Sequence, residues 1–239
     1  MRVVSLVPSL TEAVAVTLPG VLVGATDWCS HPADLAVTRV GGTKNPDVDR
    51  VVALAPDLVI ANEEENRAPD LDALRAAGLD VLVTEVRTVP QALTELDRVL
   101  TACGAPGRPA WLAEAEAVWS SLPAPAERRS AVVPVWRRPW IVLGRDTFAG
   151  DVLARLGVDH VHARHPERYP RVPPAELRAA APDLVVLPDE PYRFTAGDGP
   201  EAFPGLPCAL VSGRHLTWYG PSLTEAPRVL AVALRAARR

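Results

Sequence analysis

The chain has 239 residues, of which 48% are hydrophobic and 23% charged, and its 25 basic and 29 acidic side chains give a net charge of −4. A chain of this length forms one or two domains with a buried core, and this composition excludes a disordered chain, a collagen-like repeat and a coiled coil. The acidic balance, without a long basic block, argues against a nucleic-acid partner.

The amino-terminal residues bear on where the protein acts. Met1 and Arg2 lead directly into Val3–Val7, without the apolar segment and cleavage site of a secretory leader. No apolar run approaches the roughly 20 residues of a membrane span, so membrane insertion is not expected. Three cysteines without CxxC spacing are typical of free thiols in a reducing compartment. The sequence as it stands predicts a cytoplasmic protein, and the alternative is a periplasmic or extracytoplasmic protein whose leader is missing from this sequence.

The first half of the chain alternates short β-like runs with helix-like runs. Strands are predicted over Val3–Val7, Val21–Ala25, Leu58–Ala61 and Val81–Thr84, and helices over Ser9–Leu18, Leu71–Ala77 and Pro90–Cys103. This alternation indicates a parallel sheet. The S-x-x-E pattern of Ser9–Glu12 predicts a capping box at the start of the first helix. That helix then begins at the carboxyl edge of the sheet, where ligands of α/β proteins bind.

The second half of the chain repeats features of the first. The APDLVI sequence of Ala55–Ile60 recurs as APDLVV in Ala181–Val186, at an offset of 126 residues. A strand followed by a helix that begins at Ser9 or Thr147 gives a second, similar offset of 137 to 138 residues. The repeat predicts two related α/β lobes, and chance recurrence of a short motif is the alternative.

A segment without Gly or Pro separates the two halves. Pro106–Pro109 precedes it and Pro123–Pro125 follows it, and Ala110–Leu122 between them is rich in Ala, Glu and Trp. We predict a single connecting helix of about 14 residues, about 20 Å long. The predicted domains are an N-terminal lobe over residues 1–104, the connecting helix within residues 105–128 and a C-terminal lobe over residues 129–239.

Six segments, in order along nearly the whole chain, carry a family pattern. They are Arg2–Glu12, Val23–Pro32, Leu54–Ala61, Gly144–Gly157, Tyr169–Val172 and Leu216–Pro221. Together they resemble the helical-backbone (class III) substrate-binding proteins, the cobalamin- and siderophore-binding components of ABC importers. The resemblance implies two Rossmann-like α/β lobes with parallel sheets, joined by one long backbone helix, with a ligand cleft between the lobes. It also implies a bulky metal chelate, such as cobalamin, haem or a ferric siderophore, held there without catalysis and without an intrinsic cofactor.

Aromatic and basic side chains in the predicted loops are the candidate ligand contacts. Aromatic faces and Arg side chains suit flat conjugated ligands and their carboxylates. The candidates are Trp28, His31, Lys44, Trp136, Arg137, Trp140, His165, Tyr169, His215, Trp218 and Tyr219. The resemblance favours the loop of Trp28 and the segment His215–Tyr219, because the matching segments of cobalamin binders contact ligand. Trp111 and Trp119, eight residues apart on the connecting helix, are predicted to be core residues.

A cluster of histidines offers a different chemistry. His160 and His162 would share one face of a strand, with His165 nearby, and imidazoles so spaced can ligate a transition metal. No acidic or Cys partner completes the pattern in the adjacent sequence, and a solvated loop is the alternative. Direct metal coordination is therefore not assigned.

Acidic residues follow both PDLV strands. Glu63–Glu65 and Asp189-Glu190 lie at the same edge of both lobes, where they face a cationic ligand group, cap helices or are solvated. In family members that deliver their ligand to an ABC permease, an acidic side chain of each lobe docks onto arginines of that permease. The matching position of the first lobe is near Ala68, so a docking acid is not evident there, and the ABC permease stays a candidate partner. The sequence also differs from the family pattern at Asn62, where a cobalamin binder carries Trp.

The leading interpretation is a non-catalytic, monomeric receptor for a metal-chelate small molecule, either transport-related or cytosolic. An enzyme on the same scaffold is the first alternative, although the sequence has no dinucleotide-binding, Walker A, nucleophile-elbow or zincin motif. Acidic residues and a histidine, namely Asp146, Asp151, His165 and Glu167, would be its acid–base candidates. A metal-ion carrier that uses the histidine cluster is the second alternative.

Overall fold

The computed structural model describes residues 1–237, which form two compact units by their internal contacts. Unit 1 consists of residues 1–86, 90–114 and 219–221, and unit 2 consists of residues 87–89, 115–218 and the described residues from 222 onward. Within residues 1–237, no helix combines the length and the apolar character that crossing a membrane requires.

Strands and helices alternate in unit 1. In chain order they are β1 (Val3–Ser5), α1 (Pro8–Thr17), β2 (Leu22–Ala25), β3 (Thr38–Arg39), β4 (Gly41–Gly42), β5 (Asn45–Pro46), α2 (Val48–Ala53), β6 (Leu58–Asn62), α3 (Ala68–Ala76), β7 (Val81–Thr84) and α4 (Val89–Ala102). The next helix, α5 (Ala110–Ser120), begins in unit 1 and continues into unit 2. The main sheet is parallel with the order β3-β2-β1-β6-β7, and β4 pairs with β5 in a small antiparallel hairpin. The core of unit 1 buries the apolar faces of β1 and β6 against α3.

Unit 2 has the same alternation and an antiparallel hairpin of its own. Its elements are β8 (Arg129–Val132), β9 (Pro134–Arg137), β10 (Trp140–Val142), α6 (Phe148–Arg155), β11 (Val158–His160), α7 (Pro174–Ala179), β12 (Leu184–Pro188), β13 (Cys208–Val211), α8 (Gly213–Thr217) and α9 (Ala226–Ala236). The parallel sheet has the order β11-β8-β12-β13, and β9 and β10 form an antiparallel hairpin. The order β2-β1-β6-β7 of unit 1 recurs here as β11-β8-β12-β13, because β8 lies between β11 and β12 as β1 lies between β2 and β6. The predicted α/β class with parallel sheets is confirmed.

The repeated APDLV motif makes the same backbone connection in each unit. In unit 1, the Arg2 N–H donates to Oδ2 of Asp57 (2.6 Å) and the Asp57 N–H donates to the Arg2 carbonyl (2.8 Å). In unit 2, the Ser130 N–H donates to Oδ2 of Asp183 (2.7 Å) and the Asp183 N–H donates to the Ser130 carbonyl (3.0 Å). Asp57 thereby connects the amino end of β1 to the amino end of β6, and Asp183 connects the amino end of β8 to the amino end of β12.

The alanines that open the two motifs have a left-handed backbone. Their φ angles are 44° at Ala55 and 46° at Ala181, a conformation that costs a residue with a Cβ about 1–2 kcal/mol. We expect A55G and A181G each to raise the free energy of unfolding by about 0.5–1 kcal/mol, because the relief exceeds the extra backbone entropy of glycine in the unfolded chain. Urea denaturation measures the change. The control A113G, on the exposed side of α5, should lower stability by about 1 kcal/mol; a loss in both motif variants would contradict this account.

The start of α1 differs from the prediction. The helix begins at Pro8, with Val7 as N-cap and no side-chain capping bond, so the predicted capping box at Ser9–Glu12 is wrong. Proline is favoured at the first helical position because its missing N–H is not needed there, and this places Ser9 inside the first turn. Because the helix starts early, β1 ends at Ser5 rather than at Val7. The other predicted strands and helices of the first half are present, with ends shifted by three residues or fewer.

The connecting helix α5 is shorter than predicted, with 11 residues rather than about 14. It ends at Ser120 because the residue before a proline avoids the helical conformation, and Pro123 imposes this on Leu122. The core prediction is confirmed for Trp119, which is buried and donates its indole N–H to the Leu223 carbonyl (3.0 Å). Trp111 is partly buried, and its indole N–H donates to the Thr17 hydroxyl (3.0 Å).

Candidate functional site

Trp28 is the most exposed aromatic residue that the structure places at the carboxyl edge of the unit 1 sheet. It lies in the loop after β2 with 68% of its surface exposed, whereas tryptophan is usually well buried. Gly42 of the neighbouring hairpin lies beside this ring. A Cβ on Gly42 would lie 2.5 Å from Oδ1 of Asn45 and 3.5 Å from Nε1 of Trp28. The indole therefore offers an open aromatic face beside this hairpin.

Hydrogen bonds to Thr26 and Cys29 hold the loop that carries Trp28 in place. The thiol of Cys29 is buried between the hydroxyls of Thr11 (3.0 Å) and Thr26 (3.2 Å), and its burial raises the pKa of that thiol. The guanidinium of Arg39 donates to the carbonyls of Thr26 and Cys29, both at 3.0 Å. An anchored loop loses little conformational entropy when a ligand binds, which favours binding.

Two further candidates lie on the same edge of unit 1. His31, partly buried, makes a hydrogen bond between its Nδ1 and the Ser30 hydroxyl (3.1 Å). Lys44 is exposed in the β4–β5 turn, and its amine donates to the Glu64 carbonyl. Both remain predicted ligand contacts.

Asn62 organises the loop that follows β6. Its buried amide donates to the carbonyl (3.0 Å) and hydroxyl (3.1 Å) of Thr84. Its Oδ1 accepts from the backbone N–H of Glu64 (2.8 Å) and of Glu65 (3.3 Å). Sequence reasoning noted Asn62 only as a departure from cobalamin binders and missed this role, although Asn directly after a buried strand is a residue type that turns the backbone.

Two candidates near the C-terminus are buried. Trp218, in unit 2, is 8% exposed, and Tyr219, in unit 1, is 7% exposed. Burial first, then the charge of Glu65, raises the pKa of Tyr219, while Ser9 and Thr84 hydrogen-bond its hydroxyl. Neither ring offers the open face that Trp28 does.

The stability of unit 1 depends on pH through the protonation of the Glu65 carboxyl. Although part of this side chain reaches solvent, burial of the carboxyl raises its pKa above the ordinary 4.5, and Lys44 opposes the shift. The stability contributed by the protonated form is therefore complete below about 4.5 and is lost as the pH rises through the raised pKa.

We expect E65Q to remove this loss. The free energy of unfolding of E65Q, relative to the unsubstituted protein, should rise between pH 4 and pH 8, because glutamine stays neutral. Urea denaturation at several pH values measures it, and E63Q, at an exposed neighbour, is the control. Parallel pH profiles for E65Q and the unsubstituted protein would show that Glu65 is not responsible.

In unit 2, the β9–β10 hairpin carries three candidates with different surroundings. Trp136 is 42% exposed, with its ring edge-on to Tyr192 (5.7 Å between centroids). Trp140 instead stacks on Phe194 (5.9 Å), so most of its face is used within the unit.

Arg137 is engaged by charges of its own unit. Its guanidinium forms ion pairs with Asp198 and Glu201 and lies 5.4 Å from the centroid of Trp140. Of these three candidates, Trp136 has the most exposed side chain.

The remaining unit 2 candidates lie after β11 and in α8. Nδ1 of His165 accepts the Glu167 N–H (3.0 Å), and Tyr169 is 42% exposed. His215 is held at both ring nitrogens, by the Ser212 hydroxyl (2.7 Å) and the Glu225 carboxylate (3.1 Å). Tyr169 is thus the second exposed ring of the unit.

The predicted strand-face arrangement of histidines is wrong. β11 ends at His160, and His162 lies in the turn that follows, so the two do not alternate along a strand. Burial first, then the charge of His162, lowers the pKa of His160 below 6.5, so the neutral imidazole prevails at pH 7. Among the residues that the structure describes, no three or more His, Cys, Asp or Glu side chains are placed to hold one metal ion.

A cavity of about 230 Å³ opens in unit 2 at the start of α6. The side chains and backbone that line it include those of Arg87, Asp146, Thr147, Gly150, Asp151 and His160. A Cβ on Gly150 would lie 2.9 Å from Nε2 of His160 and 2.8 Å from Oγ1 of Thr147, so glycine keeps this space open. Sequence reasoning singled out His160 but not the cavity, because residues distant in the chain, such as Arg87 and Gly150, form it.

The two parallel sheets, with α5 running from one unit into the other, define an α/β binding-protein fold. No family model matches the chain. A vitamin B12-binding protein of Photorhabdus laumondii is 24% identical over 193 residues, which cover 78% of this chain and 70% of that protein. The structure of the periplasmic vitamin B12 binding protein BtuF of Vibrio cholerae, 18% identical, matches with a TM-score of 0.75 over 98% of this chain and 96% of that one. The periplasmic heme-binding protein RhuT from Roseiflexus sp. RS-1, 20% identical, matches with a TM-score of 0.78 over 97% and 98%.

These comparisons confirm the resemblance that the six sequence segments predict. The chain has the fold of periplasmic binding proteins for metal chelates. The similar proteins are binding proteins by name, in agreement with the expectation of a non-catalytic chain.

Proposed function

We propose that this chain is a non-catalytic receptor that binds a bulky metal chelate, namely a corrinoid, a haem-like tetrapyrrole or a ferric siderophore. The observation that carries the proposal is Trp28, exposed to 68% on a loop that Cys29 and Arg39 anchor. Such a ring supplies a large contact area at little entropy cost. The names of the similar proteins, which bind vitamin B12 or heme, support the same ligand class.

We also propose a transport role outside the cytoplasm, with an ABC permease as the partner. The similar structures are described as periplasmic proteins, which favours the extracytoplasmic alternative over the cytoplasmic one. Asp70 is bound by the Arg67 guanidinium through two hydrogen bonds (2.9 and 3.1 Å), and the Glu65 carboxyl is buried. The proposal therefore assigns no docking acid in unit 1.

Direct titration tests the ligand class. The purified protein is titrated with haemin, with cobalamin and with several ferric siderophores, and the visible absorbance of each chelate reports binding. Saturable binding of one chelate with a dissociation constant well below 1 mM is expected. If every chelate binds more weakly than about 1 mM, near −4 kcal/mol, the receptor proposal fails.

A further inference from the structure

Asn66 is a buried polar side chain in the loop after β6, and both ends of its amide are hydrogen-bonded. Only 4% of this residue is exposed. Nδ2 donates to the carbonyls of Leu6 (3.2 Å) and Thr43 (2.9 Å), and Oδ1 accepts the Asn62 N–H (2.9 Å). A primary amide has two N–H donors, and both are used here. A buried polar network whose members all have partners is rigid, so Asn66 fixes the segments that it joins.

The three partners of Asn66 belong to different segments of unit 1. Leu6 directly follows β1, Thr43 lies in the β4–β5 turn and Asn62 ends β6. These partners are 60, 23 and 4 residues away from Asn66 along the chain. One side chain therefore connects the ends of two neighbouring strands to a hairpin outside the main sheet.

The β4–β5 hairpin depends on support from the rest of unit 1. Its strands have two residues each, and an isolated two-stranded hairpin is marginally stable in water. Asn66 binds the turn at the Thr43 carbonyl, and the amine of Lys44 binds the Glu64 carbonyl. Lys44 is exposed and its side chain loses more rotamer freedom than that of Asn66, so the bond of the buried Asn66 is the stronger constraint.

The hairpin in turn supports the loop that carries Trp28. The Asp27 N–H donates to the Gly41 carbonyl (2.8 Å), and a Cβ on Gly42 would lie 3.5 Å from Nε1 of Trp28. A displaced hairpin would therefore change both the backbone beside Trp28 and the surface next to its ring.

We propose that Asn66 is a positioning residue for the ligand surface of Trp28. Its amide holds the β4–β5 hairpin, and through that hairpin the Trp28 loop, in the binding arrangement before a ligand arrives. The inference rests on the proposed function, because it concerns the same Trp28 surface. Asn66 acts through the hairpin, since its own side chain is buried and hydrogen-bonded within unit 1.

A double-mutant cycle with Trp28 tests this role. Haemin and cyanocobalamin are titrated against the unsubstituted protein, N66A, W28A and the double variant, with the visible absorbance of each chelate as the readout. N66A should weaken binding about three- to tenfold, because the hairpin and the Trp28 loop must then be ordered when the chelate binds. In the W28A background, N66A should change the affinity less than about twofold, since interacting residues are not additive.

Two further variants distinguish positioning from a general loss of stability. N66D should weaken binding at least as much as N66A, because it places a carboxylate oxygen opposite two carbonyl oxygens. L100A removes a buried side chain of α4, outside these loops, and should lower stability without changing affinity. Thermal unfolding verifies that each variant is folded at the temperature of the titration. Equal effects of N66A with and without Trp28, or an affinity loss in L100A equal to that in N66A, would overturn the proposal.

Amide hydrogen exchange of the protein without chelate separates this proposal from the receptor function. The Asp27 N–H, bonded to the Gly41 carbonyl, reports on the hairpin, and the Val59 N–H, bonded to the Asp80 carbonyl (2.8 Å), reports on the main sheet. In N66A, exchange at Asp27 should accelerate about tenfold more than exchange at Val59, because the opening is local. That result supports the proposal even if no chelate binds. An equal change at both amides, or no change at Asp27, overturns it whether or not chelates bind.

Discussion

Replacing Trp28 by alanine is expected to weaken binding of the cognate chelate about 30-fold or more. An exposed aromatic residue that a ligand covers acts as a hot spot, and truncation of a hot spot costs about 2 kcal/mol or more of binding free energy. Because the ring is 68% exposed in the structure, the free energy of unfolding should change by less than about 0.5 kcal/mol. Visible absorbance of the chelate measures affinity without relying on the fluorescence of the removed ring.

Two control variants make this result specific. W28F retains an aromatic face and should keep affinity within about threefold, since stacking on a ring does not need the indole N–H. V16A removes an apolar side chain that is 51% exposed on α1 and should have no effect. A W28A protein that binds the chelate as tightly as V16A would exclude Trp28 from the ligand site.

The second large effect is expected at Gly144. A Cβ at this buried position would lie 2.0 Å from the Glu167 carbonyl oxygen and 3.0 Å from Cδ of Pro170. The Gly144 N–H also donates to the Arg168 carbonyl (2.7 Å), so the two backbone segments are already in close contact. G144A should therefore lower the stability of unit 2 by about 3 kcal/mol or more, because backbone cannot move aside as a flexible side chain does.

Urea denaturation followed by circular dichroism measures this loss. G107A is the control, because a Cβ there meets no atom within 4 Å and its stability should change little. Hydrogen exchange locates the effect, and faster exchange should be concentrated in β10 and in residues 167–172. Unchanged stability of G144A would show that the segment of Tyr169 adjusts freely.

Local patterns in the sequence predicted the fold well. Alternating βα runs indicated parallel sheets, and the APDLV repeat indicated two related units, because the aspartate of each motif makes a bond that every copy of the unit needs. The sequence-based predictions were wrong about helix ends that proline residues determine. Pro8 started α1 one residue before the predicted Ser9, and Pro123 shortened α5.

The candidate site was less predictable, because exposure depends on contacts between residues distant in the chain. The family resemblance favoured the loop of Trp28, but the sequence did not show that Trp140 stacks on Phe194, a contact across 54 residues. Sequence reasoning also placed Trp218 among loop residues as a candidate ligand contact, and the structure buries it. Likewise, the cavity beside His160 depends on Gly150, because a side chain at this position would fill it.

The aspartate bonds of the APDLV motifs lie at the amino edge of each sheet, whereas Trp28 and the loop that Asn62 orders lie at the carboxyl edge of the unit 1 sheet. The contacts that connect the strands are thus separate from the surface that we propose binds a ligand. Loop substitutions that alter ligand preference can accumulate without loosening the strands, so a single scaffold can diversify in evolution and can be re-engineered toward a new chelate by changing one edge alone.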